Sequence, residues 1–150
     1  MLIVIDGYNL IFAIPELENL VKADNIEDAR EKLISIMVNY KQNKKYNVVL
    51  VFDSSHDCCN SSRKEISGLE IVYARYSKDA DTEIKNIIDH CQNPKDTCVV
   101  THDKDIRRYV QKKGSNLINP EDFYKEVIKV IRPEKKKLPK EPASKISGPS

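Results

Sequence analysis

Residues 2–11 read Leu2-Ile3-Val4-Ile5-Asp6-Gly7-Tyr8-Asn9-Leu10-Ile11. The apolar run stops abruptly at Asp6-Gly7, which marks a buried strand running into a tight turn. Working outward, the same device returns. Asn47-Val48-Val49-Leu50-Val51-Phe52 is a second apolar run, again stopped by an acid, Asp53. Leu69 to Ala74 alternates and gives a third strand. Thr97-Cys98-Val99-Val100-Thr101 is a fourth, followed by His102-Asp103, and Asn116-Leu117-Ile118 is a short fifth.

Amphipathic segments lie between these strands. From Ile26 to Tyr40 the apolar positions Ile26, Ala29, Leu33, Ile36, Met37 and Tyr40 recur at steps of three and four, with Asn25 placed as the cap. A second helix is expected over Asp79 to Cys91, with Ala80, Ile84, Ile87, Ile88 and Cys91 on its inner side. A third spans about Lys104 to Lys113 and ends at Gly114. Asn119-Pro120-Glu121-Asp122 is a helix start, with a cap, a proline and first-turn acids, and that helix runs to about Ile131. Residues 54–68 are polar and read as a loop. Apolar strands alternating with helices predict an α/β fold, a three-layer α/β/α sandwich around a mostly parallel sheet. The domain is expected to span residues 1–132. The tail 133–150, rich in Lys and Pro, is expected to be disordered.

Composition bounds the function. The 150 residues are 40% hydrophobic and 32% charged, too apolar for a wholly disordered chain and too charged for a membrane span. No run approaches the roughly 20 apolar residues of a spanning helix. The start lacks the basic region of a signal peptide, so a cytoplasmic protein is expected. The net charge of +2 conceals a division. Five Lys and two Glu give the tail +3, which leaves 20 basic and 21 acidic residues before it. The body is therefore not a uniformly basic nucleic-acid binder, and any attraction for phosphate must come from local patches, the tail or metal ions. The four cysteines (58, 59, 91 and 98) show no C-x-x-C spacing and read as free thiols of a reducing compartment.

The position of the acids is more informative than their number. Asp6, Asp53 and Asp103 follow strand ends, and Asp79 and Asp81 open the helix after the third strand. In a parallel sheet these points share one edge, the carboxyl ends of the strands, where open α/β sheets bind ligands. Clustered carboxylates need a counter-charge, and hard cations such as Mg²⁺ or Mn²⁺ accept oxygen ligands while keeping waters. Such a site suits metal-dependent phosphodiester hydrolysis. Each acid also has a local use as turn former or helix cap. The pattern alone leaves phosphatase or other Mg²⁺ chemistry open.

Asp6-Gly7-Tyr8-Asn9-Leu10-Ile11 resembles the opening motif of the YacP-like NYN domain family, a branch of the PIN-like nucleases. Val51-Phe52-Asp53 resembles its second strand ending, Ala80-Asp81 its central acidic motif, and Val99-Val100-Thr101-His102-Asp103 its T-x-D motif. Gly114 and the run from Ile118 to Phe123 resemble its closing segment. The likeness spans about residues 1–130. It implies a PIN-like fold and endoribonuclease activity with Mg²⁺ or Mn²⁺, and one branch cuts mRNA on the ribosome. Asp6, Asp81 and Asp103 become metal-binding carboxylates, Asn9 a polar support, and Asp53 a further ligand candidate. Asp79 and Asp105 are acids that the motif does not account for.

A basic rim completes the reading. Arg75 and Lys78 precede the central acids, and Lys104, Arg107 and Arg108 lie on the helix after strand four, where Lys104 and Arg108 share a face. Such a rim would hold an RNA backbone while metal serves the scissile bond. The reading is a cytoplasmic metal-dependent endoribonuclease whose partners are RNA, in the first place mRNA, and the ribosome. The alternative is a catalytically silent RNA- or ribosome-binding module that keeps the acids.

Overall fold

The computed structural model describes residues 1–53, 62–74 and 77–132, the side chains of 77–79 excepted. The chain runs β1 (Leu2–Asp6), α1 (Gly7–Ala13), α2 (Pro15–Lys22), α3 (Ile26–Asn43), β2 (Asn47–Asp53), β3 (Ser62–Ile66) and β4 (Leu69–Ala74). It continues α4 (Ser77–His90), a 3₁₀ turn (Pro94–Asp96), β5 (Thr97–Val100), α5 (Lys104–Lys113), β6 (Asn116–Ile118) and α6 (Pro120–Ile131).

One six-stranded sheet has the order β3-β4-β2-β1-β5-β6. Every pairing is parallel except the antiparallel β3–β4. Side chains alternate across it, as the two-residue period of a strand requires. Ile3, Ile5, Val48, Leu50 and Phe52 pack with Leu10, Leu33, Met37 and Phe123 from α1, α3 and α6 on one face. Val4, Val49, Val51 and Val99 pack with Ile84, Ile88, Ile106 and Val110 from α4 and α5 on the other. Burying one such side chain contributes about 1.5–3 kcal/mol. A one-residue slip of an edge-paired strand would turn its set toward the wrong layer, so the register is strongly specified.

The expected sandwich, its parallel centre and the later helices are found, with α1, α2 and β3 missing from the expectation. No turn separates Asp6 from a helix: α1 starts at Gly7 directly after β1. α2 follows at Pro15, where proline suits a first helical position. Asn25 does precede α3, but its side chain caps no backbone group; its amide donates to Asp28 Oδ2 at 2.9 Å.

The segment 54–68 is not all loop. Residues 62–66 form β3, exposed at every position on the sheet edge, so no burial pattern marks it in the sequence. Ser67 and Gly68, with φ of 50° and 86°, make the two-residue turn into β4. Two positive φ values in succession suit the right-handed twist of a hairpin. Residues 54–61, with Cys58 and Cys59, and the tail 133–150 lie outside the described residues. Cys91 and Cys98 are free thiols, each partly buried.

Gly7 is where the fold brings α1 against β2. A Cβ there would stand 2.5 Å from the Phe52 ring and 2.9 Å from the Val51 carbonyl oxygen. Phe52 is itself fully buried, so neither neighbour has room to yield. Gly7→Ala is expected to destabilise the chain by about 1–3 kcal/mol, the usual range for overpacking. Urea unfolding measures this, and an unchanged midpoint would contradict the close approach.

Candidate active site at the sheet edge

The chain steps outward from β1 to β2 and β4, then crosses α4 to reach β5 on the other side of β1. The strand order therefore reverses between β1 and β5. Open α/β sheets bind ligands outside the carboxyl ends of strands at such a point. Asp6 is the last residue of β1 and stands in that position.

A short relay of hydrogen bonds holds Asp6. The Thr101 hydroxyl donates to Asp6 Oδ2 at 2.9 Å and accepts the Asp103 backbone N–H at 3.0 Å. Thr101 is fully buried, and the two bonds leave its hydroxyl little freedom. Its carbonyl accepts from Arg107 Nη1 at 2.9 Å, which ties the loop to α5. Asn9 Oδ1 accepts the His102 N–H at 2.7 Å, joining α1 to the same loop. His102 is exposed, and its Nε2 lies 2.7 Å from Glu121 Oε1 at the start of α6.

Asp6 titrates abnormally. Its pKa is raised from 3.8 to about 6, chiefly by burial; the Thr101 hydrogen bond opposes the rise, while the charges of Asp103, Asp53 and Asp81 add to it. Acids from β2, α4 and the β5–α5 loop thus bear on Asp6 at the end of β1. The sequence expectation had grouped them. Their individual settings differ. Asp103 is exposed and also caps α5: its Oδ1 accepts from the Asp105 and Ile106 N–H groups at 2.9 and 3.0 Å. Asp81 is paired through Oδ2 with Lys85 at 3.4 Å, while its Oδ1 is buried and has no hydrogen-bond partner. Asp53 is half-buried at the end of β2.

The basic candidates separate. Lys104 and Arg108 are exposed on α5. Arg107 is half-buried and directed at the Thr101 carbonyl, so it braces the loop. Arg75 and the Lys78 side chain lie outside the described residues. Sequence reasoning missed Lys85, although an acid followed four residues later by a lysine is a readable helix-face pair.

The chain is thus an α/β/α sandwich around a mostly parallel sheet, with acids at its strand-order reversal. The YacP-like NYN domain profile matches residues 3–148, and the chain belongs to that family. The YacP protein of Bacillus subtilis (strain 168) is 31% identical over 93 residues, which is 61% of this chain and 54% of that protein. The match thus spans about half the length of that relative. Two crystal structures of Rae1 (YacP) from Bacillus subtilis share the fold. One, of a variant, has a TM-score of 0.73 at 24% identity, covering 96% of this chain and 86% of its own. The other has a TM-score of 0.75 at 25% identity, covering 93% and 80%.

PIN-like nucleases generally use divalent metal ions. The donor set here fits such an ion in one specific way. Among the described residues no three ligating side chains form a ready-made cage. Mg²⁺ does not need one, since it keeps several waters and takes one or two carboxylates. The buried, unpartnered Oδ1 of Asp81 and the Asp6 carboxylate are the oxygens suited to it.

Stability should carry the mark of Asp6. Folding raises this pKa from 3.8 to about 6, so the folded chain holds the extra proton between these values. The associated stability is full below about pH 4 and is lost as pH rises through about 6. In a chelator at pH 7.5, Asp6→Asn is expected to be more stable than the parent by about 1–3 kcal/mol. The gain should vanish below about pH 4. Denaturant titrations at several pH values check this, and a pH-independent difference would contradict the burial of an ionisable Asp6.

Proposed function

We propose that this chain is a metal-dependent endoribonuclease that hydrolyses RNA phosphodiesters at the Asp6 edge of the sheet. The observation that carries the reading is the position of Asp6 at the end of β1, at the strand-order reversal, where Thr101 donates to its Oδ2. Three further acids bear on a half-buried carboxylate at the strand-order reversal, an arrangement that stability alone does not favour. Family membership supports hydrolysis of RNA as the class of reaction. The resemblance of the motifs points to mRNA on the ribosome as the substrate, in the cytoplasm. No described helix is long and apolar enough to cross a membrane.

Asp6 and Asp81 would hold Mg²⁺ or Mn²⁺, with Asp53 and Asp103 adding negative charge around them. The ion, when bound, lowers the pKa of water and neutralises charge on the phosphate. The chain supplies the rest. Thr101 aims Asp6 by donating to Oδ2, which leaves Oδ1 for a ligand. Asn9 and Arg107 hold the Thr101–Asp103 loop from opposite sides. Asn9 therefore serves as a positioning residue. Lys104 and Arg108, exposed on the helix that begins at the site, would attract the phosphate backbone on either side of the cut.

A silent RNA- or ribosome-binding module is the second reading. It is favoured by the Lys85 ammonium on Asp81 and by the capping duty of Asp103. The two readings part on cleavage. End-labelled single-stranded RNA and ribosome-bound mRNA would be incubated with Mn²⁺, Mg²⁺ or EDTA. The parent is expected to cut only with metal. Asp81→Asn is expected to keep its fold and RNA binding while the rate falls by on the order of a hundredfold or more. Binding without cutting in every condition would select the silent module.

The basic rim is tested separately through salt. Each phosphate contact to a single strand contributes about 0.7 to the slope of log affinity against log salt. Replacing Lys104 and Arg108 together by Ala should flatten the slope by about 1.4. An unchanged slope would remove them from the RNA path.

A further inference from the structure

Lys85 stands four residues after Asp81 on the same face of α4. Its ammonium lies 3.4 Å from Asp81 Oδ2 and 2.9 Å from Asp105 Oδ2, so it bridges α4 to the first turn of α5. The same nitrogen is 5.3 Å from the centre of the Tyr109 ring, where the face of an aromatic attracts a cation. The Tyr109 hydroxyl donates to Asp89, which helps to hold the ring in place. One cation therefore has three seats, and only one of them belongs to the candidate site. The closest contact is with Asp105, outside the group of acids that act on Asp6.

We propose that Lys85 is the resident counter-ion of Asp81, a positioning residue that gives way to a divalent cation by moving onto Asp105 and Tyr109. The inference rests on the metal-binding reading of the site. Asp81 shares its edge with Asp6, Asp53 and Asp103, and this charge needs compensation. An ammonium at 3.4 Å supplies it and leaves the buried Oδ1 without a partner. A divalent ion on the same carboxylate would repel that ammonium. The flexible lysine stem lets it withdraw, and the hydrogen bond to Asp105 means that it does so without losing its partner. Asp105, one of the two acids that the family motif leaves unexplained, is then the seat that receives Lys85.

The two members of one ion pair should act in opposite directions. Without Lys85, Asp81 is open to the metal. Without the Asp105 carboxylate, Lys85 settles on Asp81 and competes. Mn²⁺ binding to the full chain, followed by calorimetry or by the loss of the free-ion paramagnetic resonance signal, reads this without any activity. Lys85→Met is expected to tighten Mn²⁺ binding about fivefold and Asp105→Asn to weaken it about fivefold, the range of one partly exposed ion pair. In the Lys85→Met background, Asp105→Asn should have no effect, because Asp105 acts through Lys85. Lys85→Arg should bind Mn²⁺ like the parent. Thermal unfolding checks each fold, and Lys85→Gln replaces Lys85→Met if the latter does not fold.

Unchanged or weaker binding in Lys85→Met would overturn the proposal. So would an equal loss from Asp105→Asn in both backgrounds, which is what distant charge alone produces. Asp81→Asn separates the two levels of the argument. Mn²⁺ binding by the parent that is absent, or indifferent to Asp81→Asn, removes the metal site and this inference together. Binding that depends on Asp81 but ignores Lys85 removes this inference alone.

Discussion

The hydrogen bond from Thr101 to Asp6 joins the carboxyl ends of β1 and β5 at the edge where Asp53, Asp81 and Asp103 also bear on Asp6. Burial and three neighbouring acids all oppose the ionised form of Asp6. The hydroxyl offsets part of that opposition and sets the orientation of the carboxylate. Thr101 also receives the Asp103 N–H, so the position of one acid is coupled to the backbone of another. The parallel pairing of β1 with β5 makes this possible: Ile5 stands opposite Val100, and the residues that follow them are Asp6 and Thr101.

Much of the surrounding structure keeps this edge in register. Gly7 lets α1 start at once after Asp6, so Asn9 reaches across to the His102 N–H. A larger residue would push α1 away from Phe52. On the far side, Arg107 holds the Thr101 carbonyl from α5. The loop is thus fastened to helices from both layers of the sandwich. A preorganised group of acids is energetically unfavourable by itself, and it persists because the packed strands beneath it leave no alternative arrangement.

The fold was legible where local physics and burial agree. The apolar runs of β1, β2 and β5 are buried on both faces, so their composition announces them. The cap of α6 at Asn119 accepts the Asp122 N–H, as the sequence of that segment implies. β3 was hidden because all five of its residues are exposed, so neither alternation nor apolarity marks it. α1 was hidden because Asp6-Gly7 reads as a turn, while the close approach to Phe52 depends on a partner some 45 residues away in the chain. The same contrast holds for the site. The acids converge because strand ends converge, which topology predicts. The Asp81–Lys85 pair is legible from its four-residue spacing, whereas the turn of Arg107 to the Thr101 carbonyl and the reach of Lys85 to Asp105 depend on tertiary packing that a one-dimensional pattern does not contain.

The central claim is that Asp6 and Asp81 together take a divalent cation at the strand-order reversal. Anomalous diffraction from crystals of the full chain soaked in Mn²⁺ tests it most directly. The account predicts a peak within coordination distance of both carboxylates, beside the buried Oδ1 of Asp81. A peak elsewhere, or none at that edge with the ion in excess, would contradict it.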